Sequence, residues 1–190
     1  MMTSSFLISF LCIGLQSLSI IFFLKLYPVR QKAVLFAGAL FGCLSFLLLF
    51  KKYSTDNELL QVLILLFWQT ACLNDLCTWT FSWKWLIPGA LLPGLAFIAG
   101  EMHFFAFLNL IFPLLCLPMI YLKQMGSADF WFVLFAAILL STLQMSVCFI
   151  LASVIGIIWG LLDRNHLIPY ISCLAFAFVL SMLLENSSLF

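Results

Sequence analysis

Residues 130–162 read FWFVLFAAILLSTLQMSVCFILASVIGIIWGLL, a run of 33 residues without a charged side chain. As one α-helix this run would be about 50 Å long, whereas the hydrocarbon core of a bilayer is about 30 Å thick. We therefore expect the run to divide near Ser141 and Thr142 into a short helix and a full-length one. Because lipid offers the backbone no hydrogen-bond partners, the stretch predicts helices that span a membrane.

The composition of the whole chain predicts the same class of protein. Of its 190 residues, 66% are hydrophobic and 8% are charged, which is too little polar surface for a soluble globule. At about 20 residues per span, the chain has room for about eight helices with short loops. We predict an all-α fold, a polytopic transmembrane helix bundle that forms one domain over residues 1–190. The predicted segments are Phe6–Leu24, Ala33–Phe50, Leu59–Leu73, Leu86–Gly100, Phe104–Leu122, 130–141, 142–162 and His166–Leu184.

Charge and cysteine usage exclude several other classes of protein. The net charge is +1 and no basic run is present, so we do not expect a nucleic-acid partner. The 7 cysteines never form a Cys-x-x-Cys pair, which gives no sign of a disulfide framework or a zinc site. We therefore expect no metal and no cofactor, and a lipid bilayer as the surroundings of the chain.

The distribution of lysine and arginine predicts how the bundle is oriented. If the first loop is cytoplasmic, six basic residues lie on that side and only Lys51 and Lys52 lie on the other. This asymmetry follows the positive-inside rule for the cell membrane. The six are Lys25, Arg30, Lys32, Lys84, Lys123 and Arg164. With this orientation, Asp75 and Asp129 both fall at the cytoplasmic face.

Asp75 and Asp129 are the candidate catalytic residues. Asp75 stands at the end of the third predicted segment, and Asp129 follows the small residues Gly126, Ser127 and Ala128. A carboxylate beside hydrocarbon is costly unless water or a partner compensates its charge. Two close carboxylates that share one proton supply both the base and the acid for peptide hydrolysis. The small residues would let the backbone approach a substrate strand closely, and Gly126 can take a positive φ.

Each carboxylate also has a purely structural interpretation. Asp129 follows small residues and precedes an apolar helix, which is the pattern of an N-terminal helix cap. Asp75 would then be an ordinary solvated acid at the membrane interface. The placement of both residues on one predicted face favours the catalytic interpretation of the pair.

Three stretches resemble the type IV prepilin peptidases, a family of membrane aspartyl proteases. Gly126-Ser127-Ala128-Asp129 is similar to the Gly-any-Gly-Asp turn that carries the second aspartate of the family. Asp75 takes the place of the first aspartate, and Ile87-Pro88-Gly89 follows at the distance of the Leu-Pro-Gly motif of the family. Ile168-Pro169-Tyr170-Ile171 resembles the Pro-Phe-Gly-Pro stretch near the end of family members.

The resemblance implies an intramembrane aspartyl endopeptidase. Its substrates would be type IV pilin-like precursors, including competence pseudopilins, whose basic leader it removes at the cytoplasmic face. The short interval between Lys25 and Lys32 has no room for the cysteine-rich region of many members, as in the compact forms. The chain departs from the family at Ala128, where the second glycine usually stands, and at Trp131, where a lysine is common.

Other functions leave different signatures in a sequence. A metalloprotease helix would show His-Glu-x-x-His, which does not occur here. A small transporter or ion-binding membrane subunit is an alternative, with Asp75 and Asp129 binding a proton or cation. A family member that has lost its activity is another, because Ala128 replaces a glycine of the family motif.

Overall fold

The computed structural model describes residues 2–50, 58–78, 83–98, 106–123, 125–162 and 168–185. Within these ranges the chain is helical and contains no strand, which confirms the all-α prediction. Short 3-10 turns, Pro28–Arg30 and Trp83–Trp85, precede two of the helices. The helices are α1 (Met2–Leu26), α2 (Gln31–Phe50), α3 (Glu58–Thr78), α4 (Leu86–Ile98), α5 (Ala106–Asn109), α6 (Ile111–Tyr121), α7 (Ser127–Leu139), α8 (Thr142–Leu162) and α9 (Tyr170–Glu185).

The predicted segments differ most from the observed helices at the third, the fifth and the eighth, and the last of these begins at Tyr170 rather than at His166. The third was predicted to end at Leu73, but α3 continues to Thr78, so Asp75 lies within the last turns of the helix. The continuation is stabilised where the Thr78 hydroxyl donates to the Asn74 carbonyl, with 2.8 Å between the oxygens. The fifth segment is not one helix, because a turn at Leu110 separates α5 from α6. Lys51, Lys52 and Arg164, used to predict the orientation, lie outside the described residues.

Three helical stretches are long and apolar enough to cross a membrane. They are Gln31–Leu49, Leu59–Thr78 and Thr142–Leu161, with mean hydropathies of 2.1, 1.5 and 2.0. Other apolar helices are shorter, among them Ile111–Tyr121 and Ser127–Leu139. The chain therefore has the helices of a membrane protein, and the number of about eight spans stays a prediction.

Helix α9 occupies the centre of the bundle and packs against α2, α3, α7 and α8. Aromatic rings fill the space between α3, α7 and α9. The ring of Trp68 stacks on Phe178 with 4.7 Å between centroids, and Phe67 stacks on Phe132 at 5.5 Å. Trp68, Phe132 and Phe178 are fully buried. In lipid such contacts act through close packing rather than through removal of water, so complementary shape fixes the helix positions.

The long apolar run divides where the sequence predicts. Helix α7 ends at Leu139 and α8 begins at Thr142. Ser141 and Gln144 form a reciprocal capping box at this junction: the Ser141 N–H donates to Gln144 Oε1 at 2.9 Å, and the Gln144 N–H donates to Ser141 Oγ at 3.3 Å. These bonds supply partners for backbone groups that a helix start otherwise leaves unsatisfied.

Asn109 in α5 satisfies the carbonyl end of α7. Its fully buried amide donates to the Ala137 carbonyl at 2.9 Å and to the Leu140 carbonyl at 2.8 Å. The last carbonyls of a helix lack partners within that helix. Asn109 therefore links the break between α5 and α6 to the break between α7 and α8.

We expect Asn109→Ala to lower the free energy of unfolding by about 2 kcal/mol, because two buried carbonyls lose their donor. Ser153→Ala is the matched control. The Ser153 hydroxyl donates to the Phe149 carbonyl within α8 at 2.8 Å, so its loss should cost less than about 0.5 kcal/mol. Reversible unfolding in mixed detergent micelles measures both variants. Equal destabilisation of the two would show that Asn109 does not join the helices.

Candidate functional site

Four helix ends meet at one end of the bundle. The C-terminal turn of α3 contacts the first turn of α9, where the Ser172 N–H donates to Asp75. The start of α2 lies beside the same turn of α3, because Arg30 Nη1 donates to the Leu76 carbonyl at 2.8 Å. The start of α7 carries Asp129, whose charge interacts with that of Asp75. The two predicted acids therefore lie at the same end of the bundle.

Asp75 is 8% exposed and is held by the first turn of α9. Its Oδ2 accepts the Ser172 N–H and the Ser172 hydroxyl, each at 3.0 Å. The N–H of Ile171 adds a weaker favourable interaction. Since the Cys173 N–H bonds to the Pro169 carbonyl, Ser172 donates one of the N–H groups that α9 leaves unpaired. Asp75 is thus a cap contributed by α3 to another helix, and not the solvated interfacial acid of the structural interpretation.

Asp129 lies in the first turn of α7, before the apolar run that begins at Phe130. Gly126 is the N-cap residue and Asp129 is the third residue of α7; Asp129 Oδ2 accepts the Gly126 N–H at 2.9 Å, so the carboxylate bonds back to the cap and is not the cap itself. The pKa of Asp129 is raised to about 7, chiefly by burial; the bond from Gly126 lowers it and the nearby charge of Asp75 raises it, and the value reflects all three. Near neutral pH the side chain therefore exchanges a proton readily, which is the property required of a general acid or base.

Three other side chains surround the two carboxylates. The thiol of Cys173 lies within electrostatic range of both Asp75 and Asp129. The hydroxyl of Tyr170 and the thiol of Cys116 lie within range of Asp129. No group of three His, Cys, Asp or Glu side chains among the described residues is arranged to hold a metal ion. These neighbours of the two carboxylates at this end of the bundle are thus two thiols and one hydroxyl.

The predicted substrate-binding turn, Gly126 to Ala128, does not have the positive φ that was considered for Gly126. Gly126 has φ −75° and ψ 150°, which is extended backbone open to any residue, so it does not use the positive φ. Its small size still matters, because an added Cβ would lie 3.3 Å from Asp129 Oδ2. Gly126 and Ser127 are exposed and Ala128 is half-buried. This turn leaves the backbone beside Asp129 accessible.

Sequence reasoning did not find Ser172 or the backbone contact of Arg30. Ser172 lies 97 residues from Asp75, and Arg30 lies 46 residues from Leu76. Neither pairing leaves a local pattern in the sequence. The one available signal was the position of Ser172 just after the Ile168–Ile171 stretch, within the predicted helix His166–Leu184.

Comparisons with known proteins do not assign the chain to a family. No family model, curated protein or solved structure matches it. The likeness to prepilin peptidases therefore depends on the stretches quoted above and on the positions of Asp75 and Asp129.

We expect Asp75→Asn to lower the pKa of Asp129 from about 7, because it removes a neighbouring negative charge. Infrared spectra of the protein in detergent, recorded across pH with ¹³C-labelled aspartate, follow the protonated carboxyl. Cys43→Ser, at an exposed position on α2, is the control and should leave the titration unchanged. A pKa that stays the same in Asp75→Asn would mean that the two carboxylates do not interact.

Proposed function

We propose that this protein is an intramembrane aspartyl endopeptidase of the prepilin-peptidase type, with Asp75 and Asp129 as its catalytic residues. The feature that supports this most strongly is the placement of these two acids, which come from separate helices but lie at one end of the bundle within electrostatic range of each other. They are 54 residues apart in the sequence. Folding therefore assembles a pair of acids that neither helix could supply alone.

The chemistry follows from the sharing of one proton by the two acids. The ionised carboxylate removes a proton from water, which attacks the carbonyl carbon of the peptide. The protonated acid gives its proton to the carbonyl oxygen, forming a neutral tetrahedral intermediate. Collapse of the intermediate breaks the C–N bond: the newly protonated carboxyl gives its proton to the departing amine, and the newly ionised carboxylate takes a hydroxyl proton from the intermediate, which restores the starting state of the pair. The pair titrates as a unit, so its two apparent pKa values belong to both residues.

The surroundings of Asp129 suit an extended peptide as substrate. Gly126 and Ser127 expose their backbone directly before the carboxylate. Three of the described basic side chains are exposed at the same end of the bundle: Lys25 in the last turn of α1, Lys32 in the first turn of α2, and Lys123 just after α6. This is consistent with a cytoplasmic site under the positive-inside rule. The proposed substrate is a pilin-like precursor whose leader, ending in glycine, stays in the cytoplasm while its apolar helix enters the bilayer.

The position of the acids favours a peptidase over a transporter. Secondary transporters place their ion-binding groups near the bilayer midplane. Asp75 and Asp129 instead lie in terminal helix turns. Gln16 and Gln69, the buried polar side chains nearer the middle of α1 and α3, carry no charge. The transporter and inactive-enzyme alternatives are separated from the proposal by the cleavage assay below.

We expect Asp75→Asn and Asp129→Asn each to reduce precursor cleavage by about 10²- to 10⁴-fold. Asparagine keeps an oxygen that can accept the backbone N–H bonds, so these variants remove proton transfer while preserving the capping contacts. The assay is the size shift of a co-expressed pilin-like precursor with a glycine-ended leader, at matched membrane abundance. Cys43→Ser is the control and should cleave as the parent does.

The results distinguish the three functions. Full cleavage by either asparagine variant would exclude the aspartyl mechanism. A parent that cleaves none of a panel of glycine-ended precursors, while remaining folded and abundant, would support the inactive enzyme or the transporter. Proton or cation uptake by reconstituted vesicles, lost in the same two variants, would then identify the transporter.

A further inference from the structure

The hydroxyl of Ser172 lies between two oxygen atoms of α3. It is 3.0 Å from Asp75 Oδ2 and 3.1 Å from the carbonyl oxygen of Cys72. Ser172 is 3% exposed, so water does not supply an alternative partner. A hydroxyl has one proton, and it therefore donates to only one of these two acceptors at a time.

The protonation state of Asp75 decides which acceptor the hydroxyl prefers. An ionised carboxylate is the stronger acceptor, because charge-assisted hydrogen bonds are about twice as strong as neutral ones. When a proton is bound to Asp75, its oxygens become weaker acceptors. The Cys72 carbonyl then offers the Ser172 hydroxyl a second partner, so the change of state leaves no buried donor unpaired.

We propose that Ser172 is a positioning residue of the Asp75–Asp129 pair, whose hydroxyl donates to ionised Asp75 and turns to the Cys72 carbonyl when Asp75 is protonated. This inference rests on the proposed function. The backbone N–H of Ser172 bonds Oδ2 in both states and keeps the carboxyl group in place. With Oδ2 occupied by two donors, Oδ1 is the oxygen that remains for the proton and for water.

Other groups around Asp75 do not replace this donor. From α3 and α9, the thiols of Cys72 and Cys173 face it, and from α7 the carboxyl of Asp129 faces it. Of the described cations at this end, Arg30 donates to the carbonyl of Leu76, and Lys25, Lys32 and Lys123 are exposed. The Ser172 hydroxyl is the side-chain donor that acts on Asp75 among the described residues. Its removal should therefore change the pH dependence of the pair as well as the rate.

The test compares the pH–rate profiles of precursor cleavage by the parent, Ser172→Ala and Ser172→Thr. In Ser172→Ala the ionised carboxylate of Asp75 loses one donor. The acid limb of the profile, where the rate falls as the pH is lowered, should therefore move to higher pH by about one unit. Ser172→Thr keeps a hydroxyl and should return the limb toward its parental position. Ser181→Ala is the control, because Ser181 is a buried serine of the same helix whose hydroxyl donates to the Phe178 carbonyl at 2.8 Å.

A uniform loss of rate in Ser172→Ala, with the acid limb unmoved, would overturn the proposal and leave Ser172 a packing residue. A shift of similar size in Ser181→Ala would also overturn it. A double-mutant cycle tests the contact between Ser172 and Asp75 without using activity. It compares the unfolding free energies of the parent, Asp75→Asn, Ser172→Ala and the double variant. If the changes in unfolding free energy are not additive and the parent cleaves no precursor, the contact is present and the proposed function fails. If the changes in unfolding free energy are additive and the parent is active, Ser172 and Asp75 do not interact and the positioning role is wrong.

Discussion

The hydrogen bonds between Asp75 and the first turn of α9 constrain the rest of this structure. A buried carboxylate is unstable unless donors satisfy it, and the first turn of a helix has N–H groups that need an acceptor. Ser172 brings these two requirements together with two donors 3.0 Å from the same oxygen. The contact fixes the register of α3 against α9. Since α2, α7 and α8 also pack against α9, their positions depend on that register.

Capping and catalysis are compatible at both acids. Asp75 uses Oδ2 to cap α9, and Asp129 uses Oδ2 to accept the N–H of Gly126, the N-cap residue of α7. Each carboxyl therefore has a second oxygen that these bonds leave available for a proton. The caps also hold the two side chains in defined orientations, which a pair that exchanges a proton needs. The structural interpretation of each residue thus describes how it is held, and it does not exclude the proposed chemistry.

The sequence predicted the helices well because hydropathy is a local property. It placed the division of the uncharged run at Ser141 and Thr142, where the spacing of Ser141 and Gln144 also matches a capping box. It ended α3 too early, because the last turn is stabilised in part by Arg30, which lies far away in the sequence. It also missed Ser172, whose contact with Asp75 depends on how distant helices pack. The candidate pair was predictable as two residues at one face, but the donors that hold the pair were not.

The electrostatics of Asp75 connect the assembly of the bundle to the charge of the site. Within α3 the residue lies near the C-terminus, where the helix dipole disfavours a negative charge. Two features of the assembled bundle lie at this end of α3: the N-terminus of α9, which favours an anion and donates to Asp75, and Arg30, whose guanidinium donates to the Leu76 carbonyl. An isolated α3 would have neither of these. Burial disfavours ionised Asp75 in the bundle, and the donors from α9 offset part of that cost, so the charge of the site depends on how α3 and α9 pack.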